Sequence, residues 1–244
     1  MAITNSLISS ALAGDTDALS SMNAALAAFD AHRRIEFALQ HLPGQTVLSS
    51  SFGAPAAVSL HLVTSVSSEI PIVLIDTGYL FPETYRFVDD LAQRLNLRLH
   101  ISRPELSAAW LEARHGRLWE QDREGLEQYG EITKAEPMRR ALQAFSAQTW
   151  LSGLRRSQSR SRAKVRALEV HEGRFKMHPI VDRTDRDVGR YLREQELPYH
   201  PLWEQGFISI GDWHTTHPLD EAGDAEAARF FGLKRECGLH GLEG

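Results

Sequence analysis

The sequence predicts an α/β protein with a mostly parallel sheet and helices on both of its faces. Two observations carry that prediction. Apolar runs at residues 46–49, 70–75, 97–101 and 149–152 alternate with segments whose apolar residues recur every three or four positions. Strands that alternate with helices pair in parallel, and the helices cover the sheet. Three of the runs also end in small or polar turns: Ser49-Ser50-Ser51-Phe52-Gly53, Asp76-Thr77-Gly78 and Gly153-Leu154-Arg155-Arg156. Ligands of open α/β sheets bind beyond the carboxyl ends of the strands, so these turns mark that edge as the one to watch.

Taken in order, residues 15–40 read as one helix, with Ala, Leu and Phe at helical spacing, and Pro43-Gly44 ends it. Residues 46–49 form the first strand. The helix over 54–64 follows, with Pro55 tolerated in its first turn. Residues 70–75 are a second buried strand, 82–95 a helix, 97–101 a third strand, 104–117 a helix, and 149–152 a fourth strand. The pattern changes at Val165. Residues 165–177, with Glu172-Gly173 in the middle, read as a hairpin, and 184–195 as a helix capped by Thr184 or Asp185. Residues 197–220 are rich in Pro, Gly, His and Trp and have little periodicity; ordered loops of that length are usually functional.

Composition narrows the function. The 244 residues suit one large α/β domain, or one domain with a substantial extension. No run approaches the roughly 20 apolar residues of a membrane span. Residues 1–11 carry no Lys or Arg before their apolar residues, unlike a secretory signal. A cytoplasmic protein without a membrane partner is expected. The net charge of −5 argues against binding a nucleic-acid backbone. Yet residues 137–168 contain no Asp or Glu and hold Arg139, Arg140, Arg155, Arg156, Arg160, Arg162, Lys164 and Arg166. A positive patch on an acidic protein suits a small polyanion, unless the charges scatter over a solvated face. The Ser49 to Gly53 turn lies between a strand and a helix, where backbone N–H groups cradle phosphate, although no Walker Gly-Lys-Ser/Thr follows. Asp76 can hydrogen-bond a ribose or act as a cap.

The chain has one cysteine, Cys237. A lone thiol forms no internal disulfide, and the thiolate is the reactive form, favoured by nearby cations. Lys234, Arg235 and His240 flank it. A nucleophile in a reducing compartment is the reading this favours over a buried hydrophobe. His214-x-x-His217 and Cys237-x-x-His240 have zinc-like spacings, but structural zinc knuckles usually pair two cysteines, and no metal is expected.

These blocks together resemble the thioredoxin-dependent phosphoadenylyl-sulfate (PAPS) reductases. The resemblance runs over the serine turn; over Asp76-Thr77-Gly78-Tyr79-Leu80-Phe81-Pro82-Glu83-Thr84; over Lys134-x-Glu136-Pro137-Met138; and over Gly153-Leu154-Arg155-Arg156-x-Gln158-Ser159-x-Ser161-Arg162. It continues through Leu197-Pro198-Tyr199-His200-Pro201-Leu202 and Ser209-Ile210-Gly211-Asp212-Trp213-His214-Thr215-Thr216 to Glu236-Cys237-Gly238-Leu239-His240.

The resemblance implies an adenine nucleotide α-hydrolase-like (PP-loop) fold and a homodimer. It divides the chain into an N-terminal helical segment (1–42), a nucleotide-binding domain (43–220) and a mobile C-terminal tail (221–244). It implies reduction of PAPS to sulfite and adenosine 3′,5′-bisphosphate in sulfate assimilation and cysteine biosynthesis, with thioredoxin or glutaredoxin as external reductant. Cys237 would form an S-sulfocysteine, with Arg235 and His240 beside it. Ser49, Ser50, Ser51, Phe52, Gly53, Asp76, Thr77, Gly78, Lys134, Gly153, Arg155, Arg156, Arg162 and Arg229 would bind substrate. Adenylyl-sulfate reductases of this fold carry cysteine motifs for a four-iron cluster that this chain lacks, so no iron–sulfur cofactor is expected. An adenylyl-sulfate reductase, an ATP pyrophosphatase-type enzyme and a non-catalytic nucleotide sensor are the alternatives.

Overall fold

The computed structural model describes residues 3–219. Three helices come first: α1 (Asn5–Leu12), α2 (Thr16–Leu26) and α3 (Ala31–His41). The single helix expected over 15–40 is therefore two. Asp30 takes extended backbone, and its carboxylate accepts the N–H of Arg33, which caps a fresh helix. The apolar positions Ala18, Met22 and Leu26 resume after the break as Ala31, Ile35 and Ala38, so periodicity alone ran across it. Before them, α1 is capped by Thr4, whose hydroxyl accepts from Leu7 N–H.

Then β1 (Gln45–Ser49), α4 (Ala56–Val66), β2 (Ile72–Ile75), α5 (Pro82–Arg94), β3 (Leu99–Ser102) and α6 (Ala108–His115) alternate as expected. A helical rod follows for which the sequence pattern predicts no element: α7 (Arg123–Gly130), a π-helical turn (Glu131–Ala135) and α8 (Glu136–Ala144). The Glu136 N–H donates to Glu131 O, five residues back, next to Pro137. Proline has no N–H and its ring conflicts with the carbonyl four residues earlier, so the wider turn absorbs what a regular helix cannot hold. The chain ends its sheet with β4 (Ala147–Ser152) and the hairpin β5 (Leu168–His171) and β6 (Arg174–Met177), then α9 (Asp185–Glu194), capped by Thr184.

Among the described residues, six strands form one sheet in the order β3-β2-β1-β4-β6-β5. All neighbours are parallel except the β5/β6 edge pair. The chain leaves β1 through β2 to β3 and then returns to the other side of β1 as β4. Strand order thus reverses between β1 and β4, where α/β sheets open a crevice.

Each face has its own core. On one, Ile35, Leu48, Leu60, Leu62, Ile72, Leu151 and Phe175 pack with α1 to α4. On the other, Val47, Val73 and Trp150 pack against Met138, Ala141 and Leu142 of α8. Each fully buried aliphatic side chain contributes about 1.5–3 kcal/mol over an exposed one. The N-terminal helices are joined by charge to the connection between β6 and α9 as well. Arg34 is buried, and its guanidinium makes paired bonds to Asp182 (2.7 and 2.9 Å) and further bonds to the carbonyls of Pro179 and Leu26. Burial would raise the Asp182 pKa, but the Arg34 hydrogen bond and charge hold it below the usual carboxylate range. Among the described residues, no helix is long and apolar enough to cross a membrane.

Candidate functional site

A cavity of about 420 Å³ opens at the carboxyl edge of the sheet, over the β1/β4 reversal. The turn after β1 forms one wall. Ser50 N–H is used by Val73 O (3.0 Å), Phe52 N–H by Ser50 Oγ (3.1 Å), and Gly53 O accepts from Ala56 N–H at 2.9 Å. Phe52 has φ 50° and is wholly buried, so the turn is anchored by an aromatic ring in a strained left-handed position. Such strain costs on the order of 1–3 kcal/mol and persists where surrounding packing enforces it. Among the described residues, the N–H groups of Ser51, Gly53 and Ala54 have no acceptor, and all three residues line the cavity. Together with the start of α4 they form a donor-rich concavity suited to an anion. The 208–212 loop packs over the turn: a Cβ at Gly53 would lie 3.4 Å from Ile210 O, in ordinary contact.

The opposite wall comes from the end of β4. A Cβ at Gly153 would overlap Ser59 Oγ of α4, so any larger residue here requires the Ser59 hydroxyl to turn away. Arg155 follows, 4% exposed, its Nη1 bonded to Asp185 (2.8 Å) and Ser157 (3.1 Å). Its buried Nε has no acceptor among the described residues, and Arg155 lines the cavity. A buried guanidinium donor without a partner is costly, which makes it a natural partner for an anion. Arg162 also lines the cavity and donates to Gln158 Oε1 at 2.5 Å. Arg156 is exposed, does not line it, and donates to Val165 O (2.7 Å).

Lys134 reaches the cavity from the π-helical turn. Its Nζ lies 2.5 Å from Asp212 Oδ2, and both groups are buried. Tyr129 OH donates to the same oxygen (2.9 Å) and Thr77 Oγ1 to Asp212 Oδ1 (2.5 Å). The phenol of Tyr129 is pushed well above its ordinary pKa by burial and then by the Asp212 charge. In the sequence Asp212 stands out only as part of a motif, yet it ties Lys134, Tyr129 and Thr77 together. An acid in an aperiodic Gly-Asp-Trp-His loop was the available signal. Beside it, His214 lies over Trp119 with ring centroids 3.7 Å apart and meets Tyr79 edge-on at 4.8 Å.

The turn after β2 behaves differently. Asp76 accepts from Tyr85 OH (2.7 Å), Arg103 Nε (2.9 Å) and Gly78 N–H (3.0 Å), and it does not line the cavity. It caps its own turn. Burial, then the hydrogen bond to Asp76, raises the Tyr85 pKa. Gly78 sits at φ 80° and Phe52 under the serine turn; neither lines the cavity, whereas Ser49, Ser50 and Thr77 do. Arg229, Arg235, Cys237 and His240 lie outside the described residues.

Comparison with known proteins agrees with this architecture. Residues 45–218 match the phosphoadenosine phosphosulfate reductase domain. The chain is 57% identical over 224 residues to a phosphoadenosine 5′-phosphosulfate reductase of Alkalilimnicola ehrlichii, covering 92% of this chain and 91% of the relative. It is 56% identical over 224 residues to one of Xanthomonas campestris, covering 92% and 93%. The structure of a phosphoadenylyl-sulfate reductase from Candida auris, solved as a phosphate complex, superimposes with a TM-score of 0.73 at 27% identity, covering 83% of this chain and 98% of that one. The Candida glabrata FMN adenylyltransferase shares the fold at 18% identity and a TM-score of 0.57, covering 90% of this chain and 72% of that one. A reversal-point cavity with unspent N–H groups and a buried arginine thus lies inside a domain that matches one lineage over most of its length: the chain belongs to the phosphoadenosine phosphosulfate reductase family.

Proposed function

We propose that this protein reduces PAPS to sulfite and adenosine 3′,5′-bisphosphate, with a dithiol protein of the thioredoxin or glutaredoxin class supplying the two electrons. The observation that carries the reading is the set of unspent donors facing one cavity: the N–H groups of Ser51, Gly53 and Ala54 and the buried Nε of Arg155. A bisphosphorylated nucleotide fits that demand, and family membership supplies the chemistry. The Cys237 thiolate attacks the sulfate sulfur, the sulfur–oxygen bond to the phosphate breaks, and adenosine 3′,5′-bisphosphate leaves. The product is an S-sulfocysteine. A thiolate of the reductant then attacks Cys237 Sγ, and sulfite departs with the electron pair of the broken sulfur–sulfur bond. The second thiol of the reductant attacks the mixed disulfide, which restores Cys237 and leaves the reductant oxidised.

Sulfate is a poor electrophile until its oxygen charge is neutralised, and Arg235, His240 and Arg229 are the cations assigned to that task. With one cysteine per chain, the reducing equivalents come from outside and no iron–sulfur cluster takes part. The working unit we propose is a homodimer. Intact-protein mass spectrometry after mixing reduced protein with PAPS, without reductant, tests the reading. It should show the mass of one SO₃ group on Cys237, removed by reduced thioredoxin. PAPS binding without an adduct would overturn the covalent route, and an equal adduct from unphosphorylated adenylyl sulfate would overturn the substrate assignment.

A further inference from the structure

Ser49 and Ser152 are paired residues at the carboxyl ends of β1 and β4, and both line the cavity. Each hydroxyl is held by a buried partner, and the two partners differ in hydrogen-bond polarity. Trp150 Nε1 donates to Ser49 Oγ at 2.7 Å. An indole N–H is a donor only, so Ser49 accepts there and keeps its own proton to give. Ser152 Oγ instead lies 2.7 Å from His178 Nδ1, while His178 Nε2 lies 3.1 Å from Glu169 Oε2. His178 is fully buried and Glu169 partly exposed. Burial is the largest influence on His178 and lowers its pKa, against the Glu169 hydrogen bond and charge, which raise it; burial favours the neutral ring. An ionised carboxylate only accepts, so the Nε2 proton points to Glu169 and Nδ1 carries the lone pair. Ser152 must then donate to His178, and toward the cavity it has only lone pairs. Among the described residues, no hydrogen bond joins the two hydroxyls.

We propose that this pair is a polarity filter for the nucleoside: Ser49 offers a donor, Ser152 offers an acceptor, and Ser152 selects a ligand group that carries a hydrogen. His178 and Glu169 are positioning residues that fix the proton on Ser152. The inference rests on the nucleotide reading above and adds the specificity that the reading does not supply. The chemistry selected is an N–H or O–H donor of the nucleoside, either the base amine or a ribose hydroxyl. A site built to receive a hydrogen discriminates strongly against a ligand that lacks it, because a buried acceptor is left unpaired.

Titration calorimetry on the full chain distinguishes the two sources. Adenosine 3′,5′-bisphosphate is compared with its inosine analogue, which replaces the base amine by a carbonyl, and with its 2′-deoxy analogue, which removes the hydroxyl. Wild-type protein should disfavour one analogue by about tenfold or more. Ser152→Ala should lower affinity for the parent and leave that analogue unchanged, collapsing the preference. Glu169→Ala, at a partly exposed position, frees the His178 tautomer and should narrow the same preference without moving the other analogue. Equal loss for all three ligands in Ser152→Ala, or an undiminished preference, overturns the filter while the nucleotide reading stands. No binding of the parent to wild-type protein overturns both.

Discussion

The turns after β1 and β2 look alike in sequence and do opposite things. Both follow neighbouring parallel strands, and both are short, polar and glycine-terminated. In the first, the chain satisfies Ser50 and Phe52 N–H internally and leaves three donors at Ser51, Gly53 and Ala54 facing the cavity. In the second, the one obvious functional group, the Asp76 carboxylate, is consumed by Tyr85, Arg103 and Gly78. A polar turn at the working edge of a sheet becomes a binding element only if hydrogen-bonding capacity remains after the fold has taken its share. Thr77 lies on the boundary: it belongs to the second turn, yet it lines the cavity and holds Asp212.

Acid should separate the two sides most strongly. His200 is buried, accepts Leu202 N–H at Nδ1 (3.1 Å) and meets Thr84 Oγ1 of α5 at Nε2 (3.0 Å), the helix into which the second turn feeds. Burial lowers its pKa to about 4. The unfolded chain therefore binds a proton between pH 6.5 and about 4 that the folded chain refuses. This contribution to stability is intact above pH 6.5 and is lost as pH falls toward 4. Urea unfolding of His200→Gln should show an acid-limb loss smaller than wild type by as much as about 3 kcal/mol; an unchanged limb would remove His200 from the account.

Arg155→Ala should weaken adenosine 3′,5′-bisphosphate binding by about a hundredfold, the scale of a charged hydrogen bond in a buried site, with Arg155→Lys recovering only part. The Arg155 side chain is buried and also bonds Ser157 and Arg183 O, so melting temperature should fall as well in Arg155→Ala, and less in Arg155→Lys. Thr77→Val removes a donor from buried Asp212 and should cost about 1–3 kcal/mol of stability in denaturant titrations, with some loss of affinity through Lys134. Asp76→Asn should be the mildest: about 1 kcal/mol of stability lost and nucleotide affinity held within about threefold. A larger affinity loss in Asp76→Asn than in Arg155→Ala would reverse the distinction between the turns.

The alternation of strands and helices is legible because β1, β2 and β4 are short apolar runs, each closed by a polar turn that contains glycine. The break at Asp30 is not, because apolar residues recur every three or four positions on both sides of it, and only the five-residue step from Leu26 to Ala31 marks the change of face. The rod from α7 to α8 was also missed: its polar faces and Pro137 obscure one continuous helix with a π turn inside it. At the site, Ser51, Gly53, Gly153 and Arg155 were readable from turn chemistry and charge. What Asp76 and Lys134 bond to depends on Tyr85, Arg103 and Asp212, and the Asp212 contact spans 78 positions (212 − 134), which no local pattern reports.

The π turn has a consequence for how this protein can vary. Such a turn holds one residue more than the α-helical path between the same two ends. Removing any one residue of the turn would swing the preceding half of the rod by about 100° about the axis relative to α8 and press the Pro137 ring against the carbonyl four residues earlier. Tyr129 and Lys134 would no longer converge on one acid. Length in this stretch is therefore under tighter constraint than residue identity, and lineages of this fold should tolerate substitutions here far more readily than deletions.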